Sequence, residues 1–168
     1  MSDLIVNISK LSEGTHRYSF EVRPENLSLD TRFVDLVAVD ATIDKTGRQL
    51  FLESKIRTTA TLTCDRCLAE FQNELVARYR IVYLTDELTA KEEEDAEIQY
   101  LSPDANLLDL GEDVRQYLVL AIPQKILCRE ECEGLCPECG TNRNVKSCKC
   151  AATESDPRWD VLKKISLN

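Results

Sequence analysis

Eight cysteines give the clearest chemical signal in this sequence of 168 residues. Six of them lie within residues 128–150, and the other two, Cys64 and Cys67, form a separate C-x-x-C pair. Two thiolates separated by two residues on a tight turn can occupy adjacent corners of a tetrahedron, and a second pair completes a site with four ligands. The spacing therefore predicts two all-cysteine metal sites, and we expect two Zn²⁺ ions.

Spacing assigns one site directly and the other by elimination. The directly assigned site comprises Cys136, Cys139, Cys148 and Cys150. Its first pair continues into Gly140, whose unhindered backbone can turn amide groups toward the sulfurs. The remaining four cysteines would form the second site: Cys64, Cys67, Cys128 and Cys132. That site would attach the cysteine-rich tail to the body of the protein.

Disulfide bonding is the main alternative to metal binding. Secreted disulfide-rich chains begin with a signal peptide, but residues 1–11 contain no long apolar run. In a reducing compartment, C-x-x-C pairs favour metal over disulfides. No apolar stretch approaches the ~20 residues needed to cross a bilayer. We therefore expect a cytoplasmic protein with no membrane partner and no small-molecule substrate.

Two catalytic alternatives also use the cysteines. A zinc-dependent RNA-processing enzyme would need an open ligand position, usually with a histidine or carboxylate ligand. The chain instead offers two complete thiolate sets and one histidine, His16. A thiol redox protein would need Cys64 at the start of a helix, where its pKa would be lowered, and the pair falls between predicted strands. We therefore expect a binding protein rather than an enzyme.

The predicted body of the chain is rich in strands. Alternating apolar residues and β-branched side chains indicate strands at residues 4–8, 18–22, 34–43, 48–63, 71–84 and 98–101. Turns are expected at residues 12–15 and 44–47. The join between the fourth and fifth strands contains Cys64 and Cys67, which places this pair at a hairpin tip.

One helix is predicted between the strands and the cysteine-rich tail. Asp109 and Glu112 have the spacing of a capping box, and Pro123 should end the helix. One apolar face is formed by Leu110, Val114, Tyr117, Leu118 and Ala121. A second helix should begin at Asp156 and carry Trp159.

The predicted fold class is α+β and mainly antiparallel, with a β-sheet or partial barrel, a packed helix and a C-terminal zinc ribbon. We expect the body to span residues 1–127 and the cysteine-rich module with its C-terminal helix to span residues 128–168. Residues 86–97 hold seven acidic residues and one lysine, which accounts for six of the nine excess negative charges of the chain. This acidic stretch should form a loop, because it is too polar to bury.

Three segments carry a resemblance to a known family. They are C-D-R-C-L at residues 64–68, L-A-I-P at residues 120–123, and G-L-C-P-E-C-G-T-N-R-N with the following C-K-C and D-P-R-W-D-V-L within residues 134–162. In this combination the sequence resembles the YceD family, the large ribosomal RNA subunit accumulation proteins of bacteria and plastids. The resemblance implies a role in 23S ribosomal RNA accumulation or processing and in assembly of the large subunit, without established catalytic residues.

The implied partners are precursor 23S ribosomal RNA, a ribosomal protein of the large subunit, or both. Phosphate contacts require cations, and the candidates are Arg66, Arg143, Arg158, Lys163 and Lys164. Cations near the cysteines could instead balance the charge of the thiolates. A basic ribosomal protein could also be held by the acidic stretch at residues 86–97.

Overall fold

The computed structural model describes residues 3–47, 49–86, 97–150 and Arg158. The predicted C-terminal helix, with Trp159, Lys163 and Lys164, lies outside these residues. So does most of the predicted acidic loop. Within the described part, the chain has the predicted α+β class, with a mainly antiparallel sheet and one α-helix.

A five-stranded sheet forms the body of the protein. Its strands are β2 (Gly14–Val22), β3 (Val37–Thr46), β4 (Gln49–Thr63), β5 (Glu70–Leu84) and β6 (Ile98–Tyr100), in that spatial order. Neighbouring strands are antiparallel except for β6, which pairs in parallel with β5. A separate two-stranded sheet joins β1 (Ile5–Asn7) to β7 (Leu107–Asp109).

Alternation along the long strands produces one buried face. On β4 the buried residues fall at every second position from Leu50 to Leu62, and the intervening side chains face away from the core. The strand register places Ile56 directly between Val39 and Ala77, all three of which are buried. Burying one such aliphatic side chain stabilises a fold by roughly 1.5–3 kcal/mol. The period-two pattern in the sequence therefore identifies the core of the sheet.

Helix α1 (Gly111–Leu120) covers this core. Leu110 just before it, and Val114 and Leu118 within it, are fully buried. The ring of Tyr117 stacks on Tyr79 of β5 with 4.5 Å between ring centroids. The predicted apolar face is confirmed, and the helix ends before Pro123 as expected.

The predicted capping box does not form. The carboxylate of Asp109 accepts a hydrogen bond from the amide of Gly111 at 2.8 Å, one residue earlier than a capping box requires. Glu112 instead pairs with Arg115, with 2.6 Å between the charged groups. The reason is that Asp109 belongs to β7, so the helix starts one residue later than predicted.

The predicted hairpin between β3 and β4 is present, but the ends of both predicted turns were misplaced. Strand β2 already begins at Gly14, inside the first predicted turn. Strand β3 continues through the second, as far as Thr46, which pairs with Gln49. Asp44 and Lys45 resemble turn formers, but here they continue the strand, where Asp44 pairs with Phe51 and Lys45 with Leu50. Among the described residues, no helix is long and apolar enough to span a lipid bilayer.

Candidate metal centres

The bridging site consists of Cys64, Cys67, Cys128 and Cys132. The β4–β5 hairpin tip supplies the first two ligands, and the segment after α1 supplies the others. All four sulfurs lie within 4.8 Å of one another. Three of the cysteines are buried, and Cys128 is half-buried. The structure thus brings together the four cysteines grouped by elimination.

The sulfur separations in the bridging site fit a tetrahedral metal site. Sγ of Cys64 lies 3.8 Å from that of Cys132, and Sγ of Cys67 lies 3.7 Å from that of Cys128. Four sulfurs at about 2.3 Å from a zinc ion would be separated by about 3.8 Å. A disulfide requires about 2.05 Å, and all eight cysteines are free thiols. The spacing therefore fits a shared metal ion.

Backbone contacts attach the hairpin tip to the segment that follows the helix. The amide of Asp65 donates to the carbonyl of Ile126 at 2.8 Å, and its carboxylate accepts from the amide of Ile126 at 2.7 Å. The amide of Leu135 donates to the carbonyl of Arg66 at 3.1 Å. These bonds fix the distance between the two halves of the bridging site.

The side chain of Arg66 also joins the two halves. Its Nη1 donates to the carbonyl of Cys132 at 2.8 Å and to that of Glu130 at 3.3 Å. Nearby, Gly134 has a φ of 72°, and a Cβ there would lie 3.0 Å from the carbonyl oxygen of Arg66. Glycine is needed at position 134 both for its left-handed backbone and for this close approach.

The tail site consists of Cys136, Cys139, Cys148 and Cys150, whose sulfurs also lie within 4.8 Å of one another. The amide of Gly140 donates to the carbonyl of Cys136 at 2.9 Å, which closes the turn between the first two ligands. Cys136 is buried, Cys148 half-buried, and Cys139 and Cys150 exposed. The tail site is therefore more open to solvent than the bridging site.

The sulfurs within each site differ in acidity. Burial acts to raise the pKa of Cys64, but hydrogen bonds from nearby backbone amides outweigh it and lower the pKa to about 6. In the tail site, the backbone amides of Cys139 and Glu138 lower the pKa of Cys136 to about 6. Burial and the neighbouring thiols raise the pKa of Cys128 to about 12. Four crowded sulfurs thus resist full ionisation, and a bound cation would remove that resistance.

Asn144 supports the bridging site, a role that the sequence did not predict. Its Nδ2 donates to Sγ of Cys132 at 3.3 Å, although Asn144 lies in the loop between the ligands of the tail site. Hydrogen bonds of this kind orient metal ligands and tune their charge. A polar residue between two cysteine pairs was the available signal, but only the folded loop shows which sulfur it contacts.

The candidate phosphate contacts have different surroundings. The guanidinium of Arg66 donates to the carbonyls of Cys132 and Glu130 within the protein. Interaction with the sulfur of Cys136, and more weakly with that of Cys148, raises the pKa of Arg143, which lies between the ligands of the tail site in the sequence. Arg158 is exposed. Lys163 and Lys164 lie outside the described residues.

Comparison with solved structures finds no match. Among characterised sequences, the chain is 22% identical over 152 residues to the large ribosomal RNA subunit accumulation protein YCED homolog 1, chloroplastic, of Arabidopsis thaliana. That alignment covers 75% of this chain but only 47% of the plant protein, so the chain spans about half of that relative's length.

Uncharacterised proteins of Mycobacterium bovis and Mycobacterium tuberculosis are 23% identical over 143 residues, covering 83% of this chain and 68% of theirs. The sequence profile described as large ribosomal RNA subunit accumulation protein YceD matches residues 52–166, more than half of the chain and all eight cysteines. The chain therefore belongs to the YceD family of large ribosomal RNA subunit accumulation proteins.

Proposed function

We propose that this protein is a zinc-binding factor for 23S ribosomal RNA accumulation and large-subunit assembly, and that it acts by binding rather than by catalysis. The observation that carries the metal-dependent part is the grouping of the eight cysteine sulfurs into two tetrads, one in the bridging site and one in the tail site. Membership of the YceD family supports the ribosomal part. A cytoplasmic site of action belongs to the same proposal.

Zinc is the metal that suits these ligands best. All-thiolate tetrahedral sites with C-x-x-C pairs are typical of structural Zn²⁺, whereas Mg²⁺ and Ca²⁺ prefer oxygen ligands. Iron–sulfur clusters also use four cysteines. However, the 3.7 and 3.8 Å separations in the bridging site fit four sulfurs around one ion of zinc size.

The ligand sets favour a structural rather than a catalytic metal. Each tetrad supplies four protein sulfurs, which would complete the coordination of zinc and leave no position for a water or substrate. His16 lies on β2, where its Nε2 is 2.9 Å from the carbonyl of Ser12, and it belongs to neither tetrad. This arrangement supports a binding protein over a zinc hydrolase.

The redox alternative has less support from the geometry. Cys64 directly follows β4 and does not begin a helix, so no helix dipole lowers its pKa. Its partner Cys67 is buried, whereas a redox-active pair needs one sulfur accessible to a protein substrate. Against the effect of burial, the pKa of Cys64 is lowered by backbone amides of the surrounding loops and not by a helix N-terminus.

With both metal ions bound, the hairpin tip, the segment after α1 and residues 136–150 would form one ordered surface for the ribosomal partner. Metal in the bridging site would fasten the segment after α1 to the hairpin tip, and metal in the tail site would order residues 136–150. Precursor 23S ribosomal RNA and a large-subunit ribosomal protein are both candidate partners. Direct RNA contact would fall to Arg143, Arg158, Lys163 and Lys164 rather than to Arg66, whose guanidinium donates to the backbone carbonyls of Cys132 and Glu130.

A complementation experiment tests this function. Cells depleted of the protein are supplied with the wild-type chain or with Cys64→Ser, and the ratio of mature 23S to 16S ribosomal RNA is measured together with the precursor. We expect the wild-type chain to restore the ratio and Cys64→Ser to leave it low. Val145→Ala is the control, because this side chain is 85% exposed and belongs to neither site. An unchanged ratio on depletion would contradict the ribosomal role, and full rescue by Cys64→Ser would contradict its dependence on metal.

A further inference from the structure

One side chain from the tail reaches a sulfur of the bridging site. Asn144 lies between Cys139 and Cys148 in sequence, inside the loop that the tail site closes. Its Nδ2 nevertheless lies 3.3 Å from Sγ of Cys132. The two cysteine sites are therefore connected through a hydrogen bond as well as through the short segment from Cys132 to Cys136.

The orientation of the Asn144 amide follows from its other partners. Its Oδ1 accepts from the amide of Glu133 at 2.9 Å and from the guanidinium of Arg129 at 2.7 Å. Both of these groups are donors only, so the oxygen must face them and the nitrogen must face Cys132. Nδ2 has a second hydrogen, which it donates to Oδ1 of Asn142 at 2.8 Å. The amide is thus fully used, and flipping it would break its bonds to these donors.

The position of Asn144 depends on the fold of the tail loop. The backbone amide of Asn144 donates to Oδ1 of Asn142 at 2.9 Å, and this hydrogen bond forms a local turn. The amide of Arg143 donates to the carbonyl of Gly134 at 2.9 Å, and Asn142 forms a β-bridge with Leu135. Ligands of the tail site lie on both sides of this loop, so metal there would hold it closed.

We propose that Asn144 couples the two cysteine sites, so that Zn²⁺ in the tail site strengthens Zn²⁺ binding in the bridging site. This inference rests on the proposed function in one respect, namely that both sites hold metal. Asn144 acts as a positioning residue, since it contacts a ligand and not the metal. A donor to a metal-bound thiolate is worth about 10- to 100-fold in metal affinity. Because coupling free energies are reciprocal, zinc in the bridging site strengthens the tail site by the same factor.

The test measures the Zn²⁺ affinity of the bridging site in the full chain by competition with a chelator of known affinity. Cys148→Ser combined with Cys150→Ser removes two tail ligands that lie beyond Asn144 and leaves residues 132–144 intact. Asn144→Asp keeps an acceptor for Glu133 and Arg129 but removes the donor to Cys132. Asn144→Ala removes the donor without adding charge. Val145→Ala is the control within the same loop.

We expect each of the three altered chains to bind zinc at the bridging site about tenfold or more weakly than Val145→Ala. Combining Asn144→Ala with the two serine substitutions should give no further loss, because both changes remove the same contact. Two zinc ions per chain at saturating metal in Asn144→Ala would show that the variant is folded.

Other outcomes overturn the coupling. Wild-type affinity in Asn144→Ala would show that the hydrogen bond is without consequence, and a loss only in Asn144→Asp would assign the effect to the added charge. Fully additive losses in the combined variant would show that the two sites act separately. If the wild-type chain bound no zinc, the proposed function itself would fail, which is a different result from two bound ions with unchanged affinity.

Discussion

Gly134 lies between Cys132 of the bridging site and Cys136 of the tail site, and its backbone closely approaches Arg66 at the hairpin tip. It combines a left-handed backbone with a 3.0 Å approach of its would-be Cβ to the carbonyl oxygen of Arg66. Gly140 has a similar φ of 69°, but no atom would meet a Cβ there within 4 Å. An alanine at either position would therefore have a strained left-handed backbone, but only an alanine at position 134 would also be crowded by a neighbouring atom.

We predict that Gly134→Ala destabilises the cysteine-rich segment more than Gly140→Ala does. Left-handed strain costs about 1–2 kcal/mol at either position, and crowding against Arg66 adds about 1–3 kcal/mol at Gly134. Urea-induced release of zinc, followed with a colorimetric chelator, measures the difference. Equal urea midpoints for the two variants would mean that the close approach to Arg66 carries no energetic weight.

A second prediction concerns the effect of Arg143 on zinc release from the tail site. Because the sulfurs of Cys136 and Cys148 raise the pKa of Arg143, its cation should stabilise the thiolates of the tail site, and Arg143→Ala should speed zinc loss from that site. Arg17→Ala, which removes an exposed cation on β2, should leave the zinc release rate at the wild-type value. Stopped-flow chelation of both variants measures these rates. Identical rates would favour an external role for Arg143, such as a phosphate contact.

The packing of α1 on the sheet should contribute measurably to the stability of the body. Leu118 is fully buried in the core, whereas Leu120 on the same helix is 77% exposed. Leu118→Ala should lower the free energy of unfolding by about 2–5 kcal/mol through the cavity it leaves. Leu120→Ala should change it by less than about 0.5 kcal/mol. Urea denaturation followed by circular dichroism compares them, and similar losses would contradict the described packing.

The long strands and α1 could be predicted because their apolar periods are regular over nine to fifteen residues. Strand β7 was missed because its last residue, Asp109, was assigned as the N-cap of the predicted helix. The ends of the turn at residues 44–47 were misplaced because the polar residues that end β3 resemble turn formers. Sequence alone located most of the strands but not their ends.

The cysteine grouping could also be predicted, because C-x-x-C and C-x-C spacings limit which sulfurs can share a tetrahedron. The contacts that position the ligands could not. Arg66 has a basic side chain that suggested a phosphate contact, yet its Nη1 donates to backbone carbonyls. Asn144 contacts a sulfur 12 residues earlier in the chain. Such contacts depend on the path of loops, which has no period in the sequence.

Direct binding of RNA by the whole protein predicts a salt dependence that can be measured separately from zinc binding. If Arg158 and Lys163 contact phosphates, each substitution by alanine should lower the salt slope of binding to a precursor 23S fragment by about one. Arg17→Ala should leave the slope unchanged. Zinc content must stay at the wild-type value in each variant. Unchanged affinity and slope with zinc retained would exclude this surface as an RNA contact, and would favour a basic ribosomal protein as the partner.

Native mass spectrometry of the protein, purified without added reductant, tests most directly whether the chain holds two zinc ions in two four-cysteine sites. Metal binding contributes folding free energy to small all-thiolate modules, so both ions should be retained during purification. We predict two zinc ions in the wild-type chain and one in Cys148→Ser/Cys150→Ser, with the remaining ion at the bridging site. A wild-type mass without zinc, or one lowered by the hydrogens lost in disulfide formation, would contradict the account.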